Sequence, residues 1–253
     1  MLSIIIMKLL KLDNSYQNMV FKVGDEMDFD KKIKDKNLII YCSNNLEDFA
    51  YEFKEYYYKN IKNIKESLDI TEEIKIIVAL TDKIEEANFV YGKSSFSGFF
   101  TDTGAFAYIS LNEDKTKEYM FKGLMHEIVH YLYKYYVYGA QKNRIVWVDE
   151  GIAQILSGQK DEFQDDSLFK EFVIKNIKDL QNFNLNTLDH KDKSFGNKNG
   201  YNLSYIALKY LHDNFEKQKF LEIIKDENTL KQLGTYIIDE IKNNFVIDKK
   251  QIK

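Results

Sequence analysis

Residues 126–130 read His126-Glu127-Ile128-Val129-His130, and residues 147–151 read Trp147-Val148-Asp149-Glu150-Gly151. Two histidines four positions apart lie one turn apart on the same face of a helix, so their imidazoles converge on one point. The carboxylate between them stands where a base can act on a water at a metal ion. The first stretch therefore predicts a helix that carries a metal site.

Glu150 is the candidate for a third ligand, because catalytic zinc sites have three protein ligands and an open fourth position. Residues 131–149 separate it from His130, and these 19 residues suffice to end one helix, turn at Gly139-Ala140 and begin another. Gly151, directly after the candidate ligand, would permit close packing of the two helices. The predicted ligands of a Zn²⁺ cofactor are His126, His130 and Glu150.

The composition is that of a globular protein. Hydrophobic residues make up 44% of the 253 residues and charged residues 30%, which excludes a disordered chain. The net charge is −4 and the lysines are spread along the chain, so no nucleic-acid surface is predicted. The single cysteine, Cys42, excludes an internal disulfide framework and is interpreted as a core residue. The sequence has no proline and one arginine, Arg144, which we attribute to codon bias.

The N-terminal run Met1–Leu10 is apolar apart from Ser3 and Lys8. It is too short to span a bilayer, and it lacks the basic start and the small-residue cleavage site of a signal peptide. It is interpreted as a first strand or a disordered leader. No integral membrane segment is predicted, and a cytoplasmic location is favoured, with secretion as the alternative.

Hydrophobic patterning predicts strands early in the chain and helices later. Buried strands are predicted at Leu38–Cys42 and Ile74–Leu80, and Asn45 is a candidate N-cap for a helix over 46–68. Asp102-Thr103-Gly104 is predicted to be the turn of a hairpin whose second strand is Ala105–Leu111. The predicted helices after it cover 116–137, 147–157, 167–180, 202–216, 218–225 and 235–245, and the loop over 181–200 is expected to border the metal site.

The predicted fold class is α+β with two lobes. Residues 1–138 are expected to form a mixed α/β lobe that contains a small sheet and the helix of the HExxH motif. Residues 139–253 are expected to form a mostly helical lobe that carries the third ligand. A cleft between two lobes is a natural place for a metal site.

The two segments resemble the gluzincin superfamily of zinc metallopeptidases, and most of all its small peptidase MA-like bacterial members. The resemblance is carried by residues 123–130, which read GLMHEIVH, and by residues 147–153, which read WVDEGIA. It is strong over residues 117–157 and continues weakly through 200–205. It implies a zincin-like two-lobe fold and hydrolysis of peptide bonds. A metzincin is excluded, because Tyr133 and Tyr136 stand where that group has Gly and His.

The resemblance also implies residue roles. Glu127 would be the general base and then the general acid of the hydrolysis. Tyr201, with Tyr205 as the alternative, would be the donor that stabilises the oxyanion beside the zinc. His190 is a further candidate for that donor, although a solvent-facing side chain is the simpler expectation.

Two neighbours of the ligands are expected to support them. Some gluzincins have an acidic residue four positions after the ligand glutamate, and it accepts a hydrogen bond from the first histidine. That position is Gln154 here, whose neutral amide would make the histidine less basic. Asp149 is the other candidate partner.

A peptide substrate is expected to add as a strand along an edge of the sheet. Ala105–Leu111 is the predicted edge, because it closely precedes the metal-binding helix. Its predicted substrate-binding residues are Gly104, Ala105 and Phe106. The chain lacks the acidic amine-binding motif of the large aminopeptidases, so an endopeptidase is favoured.

Two other functions stay open at this point. The zinc site could be structural, within a noncatalytic binding or interaction module, although a structural site has no need for Glu127. Hydrolysis of a non-peptide amide is compatible with the same ligands.

Overall fold

The structure is a computed structural model, and it describes residues 29–83, 96–111, 115–190 and 194–246. The predicted strand or leader at Met1–Leu10 lies outside these residues. Within them the chain is α+β, as predicted, with one small sheet followed by a series of helices. None of the described helices is long and apolar enough to cross a membrane.

The sheet has five described strands: β1 (Lys31–Asp35), β2 (Leu38–Cys42), β3 (Ile76–Thr81), β4 (Phe96–Phe100) and β5 (Gly104–Ile109). Their order is β1-β2-β3-β5-β4. The inner pairs β2–β3 and β3–β5 are parallel, and the outer pairs β1–β2 and β4–β5 are antiparallel. The predicted buried strands are confirmed, and so is the hairpin formed by β4 and β5. Cys42 is buried and free, as expected for a core residue.

The prediction that Ala105–Leu111 forms an edge of the sheet is wrong. β5 pairs with β3 on one side and with β4 on the other, so its backbone hydrogen-bonding groups are already engaged. In the described part of the chain, β4 is the edge strand on this side of the sheet.

The three residues predicted to bind substrate are packed within the protein. A Cβ at Gly104 would lie 2.1 Å from the backbone oxygen of Ile77, so the neighbouring strand covers that glycine. Ala105 is fully buried in the main core. Phe106 lies on the other face of the sheet, where it packs with Ala79 and stacks against Phe99. None of the three is open to a peptide at the sheet edge.

The helices of the described chain are α1 (Glu47–Ser67), α2 (Lys117–Leu132), α3 (Val146–Leu156), α4 (Asp166–Ile177), α5 (Ser194–Asn197), α6 (Gly200–Asn214), α7 (Lys217–Lys225), α8 (Glu227–Gly234) and α9 (Ile237–Val246). The predicted helices are confirmed in outline, while α5 and α8 were not predicted, and α5 lies within the predicted loop over 181–200. α2 ends earlier than predicted, and a π-helical turn over Tyr133–Tyr138 continues it as far as Gly139.

Asn45 does not cap α1, so that prediction is wrong. A 3-10 turn over Asn44–Leu46 precedes the helix, which therefore starts one residue later than expected for this cap. The Asn45 side chain instead donates a 2.8 Å hydrogen bond to Asp82, just after β3. A contact that is distant in sequence has taken the place of the local one.

Helix α2 lies against β4 and β5, and α3 packs against both α2 and α6. Gly151 in α3 permits the approach of α6 and not, as predicted, that of α2. A Cβ there would lie 2.6 Å from the backbone oxygen of Ser204 and 2.7 Å from Leu208. The helix of the HExxH motif and the helix that carries Asp149-Glu150-Gly151 (the DEG segment) are thus held side by side, with α6 behind α3.

Candidate metal centre

Three side chains meet between α2 and α3. Nε2 of His126 lies 2.9 Å from Nε2 of His130, and the Glu150 carboxylate reaches both imidazoles at 3.3 and 3.6 Å. All three residues are buried. One ligand atom from each lies within 4.8 Å of the others, so the group could hold a metal ion. The structure thus brings together the three residues that the sequence predicts as ligands.

These separations suit a tetrahedral site. With bonds of about 2.05 Å, neighbouring ligand atoms of a tetrahedron lie about 3.3 Å apart. Two buried polar atoms here, Oε2 of Glu150 and Nδ1 of His126, have no hydrogen-bond partner among the described residues. An unpartnered carboxylate oxygen that faces imidazole nitrogens would be satisfied by a bound cation. The residues present therefore fit a metal ion with nitrogen and oxygen ligands.

Asp149 orients His130. The Nδ1–H group of the imidazole donates a 2.8 Å hydrogen bond to Oδ1 of Asp149, which leaves Nε2 to face the other ligands. Burial opposes a charge on this imidazole, but Asp149 and Glu150 outweigh it and raise the pKa of His130 to about 10. Asp149 is thus the predicted support, although it acts on the second histidine.

Gln154 does not support His126, so that prediction is wrong. Its amide nitrogen donates to two backbone oxygens instead, that of Glu150 at 3.1 Å and that of Tyr201 at 2.9 Å. The second bond crosses from α3 to α6. Gln154 therefore joins the helix of the third ligand to the helix of Tyr201.

Two side chains that the sequence did not predict as partners of Glu150 hold its Oε1 oxygen. Nη2 of Arg144 donates to Oε1 at 2.7 Å, and Nε2 of His190 lies 3.0 Å from the same oxygen. Burial alone would raise the pKa of the Glu150 carboxyl, but the surrounding imidazoles hold that pKa well below its usual range. The loop over 181–200 therefore borders the metal centre through His190, as expected, and His190 is not simply solvent-facing.

One sequence signal could have pointed to Arg144. It is the only arginine among 36 basic residues, and it stands six positions before the candidate ligand Glu150. A guanidinium is the group that binds carboxylates through two donors at once. His190 carries no comparable signal, because it reaches Glu150 across 40 residues of sequence.

Glu127 is the remaining acidic residue of the centre. It is partly buried, and its carboxylate has no ion pair or hydrogen bond with another described residue. Burial raises the pKa of Glu127 against the opposing effect of His126 and His130. Its side chain lies over β4, since a Cβ at Gly98 would be 3.1 Å from Cγ of Glu127. The free carboxylate is therefore next to both the ligands and the edge strand.

The two candidate tyrosines have different environments. Tyr205 is 1% exposed, and its hydroxyl donates to the backbone oxygen of Lys160 at 3.2 Å, so its prediction as the alternative oxyanion donor is wrong. Tyr201 is 47% exposed, and its ring packs against Phe195 and His190. Burial at its hydroxyl end and the nearby carboxylate of Glu150 raise the pKa of Tyr201. Of the two tyrosines, Tyr201 alone stays compatible with the predicted donor role.

Comparisons with known proteins add no relative to this description. A scan against models of protein families found no match for the chain. A search of curated proteins found no significant match either.

Proposed function

We propose that the chain is a zinc-dependent peptidase that resembles the gluzincins, and in particular their peptidase MA-like members. The observation that carries this proposal is the carboxylate of Glu127, which has no ion pair or hydrogen bond with another described residue and lies beside the buried group of His126, His130 and Glu150. A structural zinc site needs ligands and no free base, whereas a hydrolytic site needs both.

Zinc is proposed as the metal because two imidazoles and one carboxylate are its usual ligands in hydrolases. A zinc ion held there would lower the pKa of a water at its open position and polarise the carbonyl of the substrate. His126 and His130 would bind it through Nε2. Glu150 would bind it through Oε2, which has no hydrogen-bond partner among the described residues.

Glu127 is proposed as the residue that moves the proton. Its carboxylate would take a proton from the attacking water and give it to the leaving amine nitrogen, so that it is regenerated at the end of the cycle. A raised pKa suits both transfers, because the carboxyl group then holds the proton more readily.

Tyr201 is proposed as the donor to the oxyanion of the tetrahedral intermediate. It lies at the start of α6, which Gln154 joins to α3 through a 2.9 Å hydrogen bond. Its hydroxyl is close enough to the Glu150 carboxylate for that charge to affect its pKa. His190 is the rival donor, but its Nε2 is engaged with Glu150 at 3.0 Å.

The substrate class is proposed to be an extended peptide that adds to β4. Peptides commonly bind as an extra strand along a sheet edge, and β4 is the described edge beside α2. Glu127 packs over Gly98 in this strand, so a peptide on β4 would run past the base. This replaces the earlier expectation of binding at Ala105–Leu111. Endopeptidase activity, a zincin-like cleft between residues 1–138 and 139–253, and a cytoplasmic location stay predictions.

Hydrolysis of a quenched fluorescent peptide library by the zinc-loaded chain tests the proposal. We expect Glu127→Gln to lower kcat by at least about 100-fold, since general base catalysis supplies that much, and to leave zinc binding intact. Glu118→Gln is the matched control, because Glu118 is exposed near the start of the same helix. Equal turnover by wild type and Glu127→Gln would favour the noncatalytic module. Cleavage of amide substrates other than peptides would favour the other alternative.

A further inference from the structure

Arg144 reaches both acidic residues of the DEG segment. Its Nη2 donates to Oε1 of Glu150 at 2.7 Å, and its Nε donates to Oδ2 of Asp149. A guanidinium presents several donors in one rigid plane, so it can span two carboxylates. A lysine ammonium is a compact charge on a flexible stem and lacks this fixed spacing. The one arginine of the chain therefore stands where only an arginine can make both contacts.

The two oxygens of Glu150 have different surroundings. Oε1 accepts from Arg144 at 2.7 Å and lies 3.0 Å from Nε2 of His190 and 3.6 Å from Nε2 of His130. Oε2 has no hydrogen-bond partner among the described residues and lies 3.3 Å from Nε2 of His126. Oε1 is thus engaged by the Arg144 guanidinium and the His190 imidazole, while Oε2 keeps its lone pairs for a cation.

Arg144 is itself held in place. Its side chain is 16% exposed, and its guanidinium carbon lies 5.5 Å from the centre of the Phe100 ring. The same ring lies 5.4 Å from that of His130. A cation over an aromatic face is attracted to it, and the more so where water is excluded. Phe100, at the end of β4, therefore contacts both the guanidinium and the imidazole of His130 on α2.

We infer that Arg144 is the positioning residue of the metal centre: it engages Oε1 of Glu150, so that Oε2 would be left to hold the metal, and it keeps Asp149 hydrogen-bonded to His130. The inference rests on the metal centre of the proposed function and not on the reaction. Arg144 also balances two adjacent buried carboxylates, so the ligands keep their arrangement before a metal binds.

Zinc affinity, measured by competition with a chromogenic chelator, tests this role. We expect Arg144→Met to weaken zinc binding by about 10–100-fold, the usual effect of losing a partner of a metal ligand. In the Co²⁺-loaded protein the visible absorption should fall, because a released Oε1 raises the coordination number. Lys142→Met is the matched control, since it removes a nearby charge whose contacts are with the backbone of Lys225 and the ring of Tyr138. A zinc affinity of Arg144→Met within twofold of wild type would overturn the inference.

A second variant decides the matter if Arg144→Met fails to fold. Arg144→Lys keeps the charge but cannot span both carboxylates, so we expect zinc binding about tenfold weaker than in wild type. An unchanged affinity and an unchanged Co²⁺ spectrum in this variant would overturn the inference. A wild-type chain that binds no zinc overturns both proposals. A wild-type chain that binds zinc without hydrolysing peptides overturns only the peptidase.

Discussion

The Nδ1–H group of His130 donates a 2.8 Å hydrogen bond to Oδ1 of Asp149, and each of the two side chains is 2% exposed. Asp149 directly precedes Glu150 in α3. One turn of one helix therefore supplies one candidate ligand and orients another on the neighbouring helix. The adjacent residues Asp149 and Glu150 therefore both serve the metal centre, the first by orienting His130 and the second as a candidate ligand.

Replacement of Asp149 should loosen the metal centre. We expect Asp149→Asn to weaken zinc binding by about 10–100-fold, because the amide carries no charge to increase the basicity of His130. The exposed residue Asp48, in the first turn of α1, offers the matched control Asp48→Asn. Competition with a chelator measures both affinities. If the two variants bind zinc equally well, the bond to His130 has no part in holding the metal.

The sequence predicted the part of the centre that depends on local geometry. His126 and His130 share a helix face because of their spacing alone, and 19 residues bring Glu150 back to them. Strand and helix positions followed from hydrophobic periodicity in the same way. These features depend on neighbours along the chain, so a pattern in the sequence suffices to find them.

The features that the sequence missed depend on contacts between distant segments. His190 contacts Glu150 across 40 residues, and β5 is an inner strand because it pairs with β3 as well as with its hairpin partner β4. The amide of Gln154 donates to two backbone oxygens and does not bond to a histidine. No spacing rule predicts which backbone or side chain will arrive at a given place in three dimensions.

The two tyrosines on α6 should respond differently to loss of the hydroxyl. We expect Tyr201→Phe to lower kcat by about 100-fold, as removal of an oxyanion donor does. Tyr205→Phe should leave kcat unchanged and lower the free energy of unfolding by about 1 kcal/mol, because it loses the bond to Lys160. Peptide hydrolysis and urea unfolding of both variants test this. A large loss of kcat in Tyr205→Phe alone would reverse the assignment.

The close packing of α3 against α6 should depend on glycine at position 151, because a larger residue has no room there. In Gly151→Ala the new Cβ would lie 2.6 Å from the Ser204 oxygen, which is backbone and cannot move aside alone. We expect the free energy of unfolding to fall by about 1–3 kcal/mol, the usual cost of overpacking. Gly196→Ala is the matched control, because nothing lies within 4 Å of a Cβ there. Equal free energies of unfolding for the two variants, measured in urea, would contradict the close packing.

The position of Glu127 over β4 gives a test that separates the base from the ligands. A Cβ at Gly98 would lie 3.1 Å from Cγ of Glu127 and 3.0 Å from Phe96, so Gly98→Ala should displace the Glu127 side chain by a few tenths of an ångström. Small displacements of a catalytic group have large effects on rate, and we expect kcat/KM to fall by about tenfold. Zinc affinity should stay within twofold, because Glu127 is not among the ligands. Ser97→Ala, the adjacent position of the same strand, is the matched control. If zinc affinity falls as much as kcat/KM in Gly98→Ala, the substitution has disturbed α2 as a whole, and Glu127 has no separate role over the edge strand.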